Sequence, residues 1–278
     1  MESKAKQARS KNEWTVEKHG ELSLLQSPLL KSLSWLAHAF TTRLGGESPS
    51  PLDSFNLGRH WNTDESKHDA LRNRRILCKA LDLNADRLAV PGQQHTNNVQ
   101  LIKELLPESK EPSHIPAIDA LSTRLQGQPL LLHFADCVPV MLVDTAKKSF
   151  SVIHAGWRGT ASGIVKKSVE LMVKELNSDP SDIFAAVGPA IGACCYRTGS
   201  EVEEKLLATV EDGKELIEHR EGHIYPDIQA FNAMQLMECG VKHIDVSSWC
   251  TACHPELFYS HRQSGGQTGR QGALACLI

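Results

Sequence analysis

Cys137 and His154 stand 17 positions apart, each at the exit of a short apolar run. Cys137 closes Ala135-Asp136-Cys137, and His154 leads into Ala155-Gly156-Trp157-Arg158-Gly159. Polar side chains at strand exits add little to packing and are well placed to face a cleft that rigid strands hold open. A thiolate and an imidazole on one rim suit two chemistries: ligation of a metal ion, or a cysteine nucleophile activated by histidine. A buried free cysteine and a core histidine are the plain alternative. Asp136, beside the cysteine, is a candidate proton carrier or partner of a ligand, and equally a strand-end cap.

Other segments offer anion chemistry. The loop over 42–62 carries Arg43, Gly45, Gly46, Asn56, Gly58, Arg59 and His60. Glycines let backbone approach a ligand, and arginines grip oxyanions in a two-pronged fork. Arg158 precedes a predicted helix over Gly159–Leu176, and a helix N-terminus beside an arginine suits an anion. His95 sits in a polar turn, Gly92 to Asn98, between two predicted strands. Cys250, Cys253 and His254, with Cys239 upstream, imitate a structural zinc knuckle, because C-x-x-C supplies two ligands. The vicinal Cys194 and Cys195 read as packing residues. The 13 histidines contain no His-x-His pair, which argues against a multicopper electron-transfer site.

The elements that must position these residues follow from hydrophobic periodicity. Pro129 to Leu132, Val138 to Val143 and Phe150 to Ile153 are short apolar runs, the last two rich in β-branched residues, bounded by polar residues or glycine, and read as core strands. A hairpin of strand, turn and strand would bring Cys137 and His154 to the same rim. Further strands are predicted over 21–27, 35–41, 87–91, 99–102, 119–123, 182–187 and 241–246, with others at 258–262 and near 269–275. Helices are predicted over 65–83, 159–176, 201–210 and 227–239, and 104–116 reads as a loop. The fold class is α/β: a single-domain layered fold with a mixed central sheet and flanking helices. Residues 1–20 read as a polar N-terminal tail and 21–278 as one catalytic domain.

Composition narrows the partners. The net charge is −3, with Lys and Arg scattered, so no nucleic-acid footprint or membrane patch stands out. No apolar run approaches the roughly 18 residues of a membrane span. The N-terminal residues lack the apolar stretch of a secretory signal. Eight cysteines in 278 residues are too few for a disulfide scaffold, so they read as reduced thiols in the cytoplasm. The expected partners are small molecules, with the chain a monomer or homodimer.

ADCVPVMLVD followed by IHAGWRGT closely resembles the laccase-domain family, once called polyphenol oxidases. The likeness runs from about Trp35 to Ile278 and takes in TTRLGG, SFNLG, Gln94-His95, DALST, GPAIGACCY, CTAC, FYSHR and GRQGALACLI. The resemblance implies a purine nucleoside phosphorylase that also deaminates adenosine, acting on adenosine, inosine, guanosine or methylthioadenosine. It implies a zinc site on His95, Cys137 and His154, with the fourth position open for catalysis. For that chemistry the catalytic candidates are Cys137, His154 and the adjacent Asp136, and bidentate pairing and the helix N-terminus make Arg43, Arg59 and Arg158, with Asn56 nearby in sequence, the candidates to hold phosphate or substrate. The family usually has glycine after its first histidine, where this chain has Thr96. A likeness in layout to toxin deamidases keeps a second reading open: a metal-free Cys/His amidohydrolase acting on cell-wall precursors.

Overall fold

A computed structural model describes residues 3–9, 11–59, 64–110 and 113–278. Its strands form two large mixed sheets. The first holds seven strands in the order β1 (Val16–His19), β2 (Leu22–Leu25), β3 (Leu36–Thr41), β15 (Gln271–Leu277), β8 (Leu130–Phe134), β4 (Ala89–Gly92) and β6 (Ser113–Pro116). The second holds six, in the order β14 (His243–Val246), β11 (Ile183–Val187), β9 (Val138–Asp144), β10 (Ser149–Ala155), β7 (Ala120–Thr123) and β5 (Val99–Ile102). A separate hairpin pairs β12 (Ile217–Arg220) with β13 (His223–Pro226). The helices are α1 (Lys4–Arg9), α2 (Pro28–Lys31), α3 (Asp64–Ala80), α4 (Trp157–Ala161), α5 (Ile164–Leu176), α6 (Ser200–Leu207) and α7 (Ile228–Glu238).

Three cores explain why two sheets replace the single one expected. β9 is buried along its whole length. Val138, Val140 and Leu142 face α5 and α7, joining Val165, Val169, Phe231 and Met234. Met141 and Val143 alternate with them and pack against Phe40, Leu132 and Phe134 of the first sheet. Period-two alternation puts both sets in apolar surroundings, as a run of seven buried residues requires. On the far side of the first sheet, Leu24, Leu131 and Leu274 meet Leu77 and Cys78 of α3. The fold is therefore four layers deep: helix, sheet, sheet, helices.

Several local expectations change. The helix expected over Gly159–Leu176 is two, α4 and α5, because Gly163 adopts φ 72°, a left-handed conformation that glycine takes without strain. Phe258 to Arg262 is not a strand; the Tyr259 N–H donates to the Gln271 side chain rather than to a ladder. Within the loop expected over 104–116, β6 pairs in parallel with β4.

Residues 1–20 do not behave as a loose tail where they are described. Ala5 and Ala8 are buried in the helix-side core, and Trp14 is fully buried between the sheets. Trp14 Nε1 donates to Asp245, and β1 extends the first sheet. The segment's mean polarity conceals these few apolar anchors.

Candidate metal centre

Two chain crossings between the sheets build the site. From β8 in the first sheet to β9 in the second, the chain turns through Ala135-Asp136-Cys137, with Asp136 at φ 81°. From β4 in the first sheet to β5 in the second, it turns through Gln94-His95-Thr96, with His95 at φ 59°. The β9–β10 hairpin sets Ala155 opposite Val138 and His154 opposite Pro139, so Cys137 and His154 share one rim. The donor atoms of His95, Cys137 and His154 lie within 4.8 Å of one another. His95 Nε2 is 3.7 Å from Cys137 Sγ, and the two imidazoles meet edge to face at 4.9 Å. Gly156 leaves them room: a Cβ there would sit 2.8 Å from His95 Cδ2 and 3.1 Å from Cys137 Sγ.

Asp119 organises both histidines. Its carboxylate, fully buried, accepts from His154 Nδ1 at 2.8 Å. It also accepts from the backbone N–H of Gln94, His95 and Thr96, and from Thr96 Oγ1 at 2.7 Å. The residue that replaces the family's glycine thus adds a hydroxyl bond to the anchor of the turn. Burial alone would raise the Asp119 pKa, but the bond from His154, its charge and the Thr96 donors hold it at about 2. With Nδ1 bound to that carboxylate, His154 carries its proton there and directs Nε2 toward the thiol. Burial opposes charge on Cys137 and on His154 alike; their mutual attraction, with His95 and Asp119 assisting, outweighs it and favours thiolate and imidazolium. Two imidazoles and a thiolate, one ring oriented by a carboxylate, fit a borderline-soft divalent ion. Exposure falls from His95 through Cys137 to buried His154, which leaves one side of the triad accessible.

The triad lies in a cleft of about 680 Å³, large enough for a nucleoside-sized ligand. Arg59, Arg74, Arg262 and Arg270 line it, with Asp136 the one acidic residue among the lining. Both Asp136 oxygens are engaged, by Thr251 Oγ1 and the Arg262 N–H, each at 2.7 Å. Asp136 therefore fastens the strand exit, the capping role, rather than offering a free carboxylate for proton transfer. Burial lowers the Arg74 guanidinium to about 9, and neighbouring Arg59 pushes in the same direction. An anion in the cleft would relieve both.

Of the four expected phosphate contacts, Arg59 alone lines the cleft. Arg43 stacks on Tyr259 and donates to the carbonyls of Asp53 and Pro255, so it holds loops together. Asn56 is buried, clasps Gly58 and accepts from the Arg270 N–H, positioning that arginine. Arg158 lies over the Trp157 ring and is not among the residues that line the cleft, and α4 is a five-residue turn with Gly156 as its cap. His60 falls outside the described residues. Sequence reading had quoted the motifs that hold Asp119, Arg262 and Arg270 without giving those residues a role. Arg74 had one signal: it sits on the buried stripe of α3 with Ala70, Leu77 and Cys78.

A family model described as multi-copper polyphenol oxidoreductase laccase matches residues 37–278. Purine nucleoside phosphorylase YlmD of Geobacillus stearothermophilus is 38% identical over 241 residues, covering 84% of this chain and 87% of that protein. A purine nucleoside phosphorylase of Deinococcus radiodurans is 35% identical over 253 residues, covering 91% and 92%. The crystal structure of the Geobacillus YlmD superposes with a TM-score of 0.84 at 33% identity, over 94% of this chain and 97% of that one. That of the hypothetical protein YfiH of Bacillus licheniformis gives 0.87 at 30%, over 94% and 98%.

Proposed function

We propose that this chain, which belongs to the multi-copper polyphenol oxidoreductase laccase family, is a zinc-dependent purine nucleoside phosphorylase that also deaminates adenosine. One observation carries the reading: a His-Cys-His donor set opens into a cleft walled by arginines, whose acidic lining residue has both oxygens taken. The relatives from Geobacillus and Deinococcus carry the name purine nucleoside phosphorylase, which supports the phosphorolysis half of the reading. Zinc bound to His95, Cys137 and His154 would supply a Lewis acid at the cleft floor, where negative charge develops. The family description mentions copper, and a thiolate with two imidazoles also holds copper in electron-transfer sites, but those add an axial methionine, and no methionine is among the described residues that line this cleft.

The chain's own residues do the rest. Phosphorolysis joins a phosphate oxygen to C1′ of the ribose while the bond to the purine breaks and the base leaves with the electron pair. Arg59 and Arg270, with buried Arg74 behind them, hold the phosphate dianion by charge-assisted bonds. Asn56 fixes the backbone of Arg270, so that this contact is made without reorganisation. Asp119 keeps His154 in one tautomer and the His95 turn in register. Deamination exchanges the C6 amino group of adenosine for oxygen from water and releases ammonia. The absence of disulfides among all eight cysteines suits a cytoplasmic setting, with the chain a monomer or homodimer that binds neither nucleic acid nor membrane.

The test supplies zinc, inosine and phosphate and follows hypoxanthine and ribose 1-phosphate, which should form in equal amounts and only with phosphate. Adenosine without phosphate should release ammonia. Cys137→Ser should lose the ion at this site and both reactions; full turnover in that variant would refute the assignment. The Cys137–His154–Asp119 arrangement also resembles a cysteine nucleophile with an oriented base, the metal-free amidohydrolase reading. That alternative requires activity that survives chelation and a covalent adduct at Cys137.

A further inference from the structure

Outside the cleft floor, a second group of donors converges. The sulfurs of Cys194, Cys195, Cys250 and Cys253 all lie within 4.8 Å of one another. Cys194 and Cys195 follow a turn in which the N–H groups of Cys195 and Tyr196 both donate to the Gly192 carbonyl. Cys250 and Cys253 form a C-x-x-C turn some sixty residues on, and a parallel bridge between Ala190 and Cys250 joins the two segments. Of the knuckle expected from Cys250, Cys253 and His254 with Cys239, only the two C-x-x-C cysteines belong to this group; the vicinal pair stands where Cys239 and His254 were expected.

We propose that these four cysteines bind one zinc ion as a tetrahedral tetrathiolate site, separate from the His95-Cys137-His154 centre. Zinc–sulfur bonds of about 2.3 Å in a tetrahedron place the sulfurs about 3.8 Å apart. Cys253 Sγ is 3.5 Å from Cys194 Sγ and 3.4 Å from Cys195 Sγ, close to that edge length. A disulfide needs about 2.05 Å between one pair and leaves the other two thiols without a purpose in the cluster. The Gly192 N–H donates to Cys250 Sγ at 3.2 Å, a bond that favours a sulfur bearing negative charge. Gly192 lies against the cluster: a Cβ there would sit 3.2 Å from Cys194 Sγ, a tight contact, and 3.5 Å from Cys250 Cβ. Binding is an exchange of protons for metal, with each thiol releasing its proton to solvent as it ligates, and no oxidant is involved. Arg220 donates to the carbonyls of Ala193 and Cys194, which brings positive charge toward the dianionic cluster. Cys194 and Cys253 are exposed, so the ion can enter from solvent.

The site would staple one wall of the cleft. Ile191 and Tyr196, on the same loop as the vicinal cysteines, line the cleft, and the Ile191 N–H donates to the Asp136 carbonyl. Thr251, inside the C-x-x-C turn, donates to the Asp136 side chain.

The full chain, purified under reducing conditions, is saturated with zinc, freed of excess by gel filtration, and its metal content measured. Two ions per chain are expected in the wild type and one in Cys137→Ser. One is expected in the double variant Cys194→Ser/Cys253→Ser, whose altered residues are exposed, and none in the triple variant. X-ray absorption on Cys137→Ser should give four sulfur neighbours and no nitrogen, and the rise in melting temperature with zinc should vanish from Cys137→Ser when the two exposed cysteines are also replaced. Zinc absent from Cys137→Ser overturns the proposal, as does zinc there that survives loss of Cys194 and Cys253. If a variant fails to fold, the wild type decides: zinc seen only in a mixed nitrogen–sulfur shell, or a disulfide within the cluster, sinks the tetrathiolate site. Failure at the His95 centre appears separately, as an unchanged count on replacing Cys137.

Discussion

Asp119 binds five donors around one carboxylate and so ties the His95 turn to His154. Asp119→Asn keeps the shape but reverses one end, since an amide nitrogen cannot accept from Nδ1–H or from the turn. Zinc affinity at the His95 centre should fall by about 10–100-fold, as measured by competition with a chelator, while the fold persists. Unchanged affinity would show that the rings need no such holding. Cys137 and His154 were legible as a pair because the hairpin spacing sets them level, whereas His95, in a polar turn, was marked by the resemblance. Asp119 was not legible, because an aspartate at a strand start looks like any cap until its partners are known. Arg43 and Arg158 misled for the opposite reason: a guanidinium is read as an anion fork, yet one is used here on Tyr259 and the other on Trp157.

Among the elements, the junction of β10 and α4 is the close fit that bears on the site. A methyl group at Gly156 would enter the contact distance of both His95 and Cys137. Gly156→Ala should therefore abolish metal binding while leaving the strands paired, which metal counting and far-UV circular dichroism would separate. β3 supplies a different test. His38 is buried, and its Nε2 accepts the Ser27 N–H at the head of α2. Burial lowers its pKa from 6.5 to about 4, and a ring nitrogen that accepts an N–H is itself a reason to stay neutral. The unfolded chain therefore takes up this proton first as pH falls. The contribution is intact above about 6.5 and is lost progressively toward 4, by about 3 kcal/mol in all. The stability difference between wild type and His38→Gln should narrow by that amount between pH 7 and pH 4 in denaturant titrations; a constant difference would exclude the mechanism. Strand positions were the most readable level, since seven buried residues in β9 can only be covered on both faces. The break at Gly163 was not readable, because apolar spacing runs on through it.

At the scale of the molecule, the N-terminal segment crosses every layer but the one formed by α3. α1 packs beside α7, Asn12 bridges to Ser247, Trp14 fills the inter-sheet core against Phe40, and β1 closes the edge of the first sheet. Trp14→Ala removes a fully buried indole and its bond to Asp245, and should cost about 3–5 kcal/mol of stability by denaturant unfolding. A loss under about 1 kcal/mol would mean that the segment only rests on the surface. This strap lies before residue 37, where the family match begins, so neither motif nor resemblance pointed to it. The layered class was readable from alternating elements; the division into two sheets was not, because nothing in a strand's composition says which of two equivalent apolar neighbours it will choose.

Both turns that deliver His95 and Cys137 bridge the gap between the sheets. The ion they would share is thus a rivet through two plates, and its bite is a gauge of how those plates sit. A slip of about half an ångström exhausts the tolerance of such a site. Repacking Met141 or Phe150, in the core cluster against which Cys137 packs, is then also a way of retuning the chemistry at the rim.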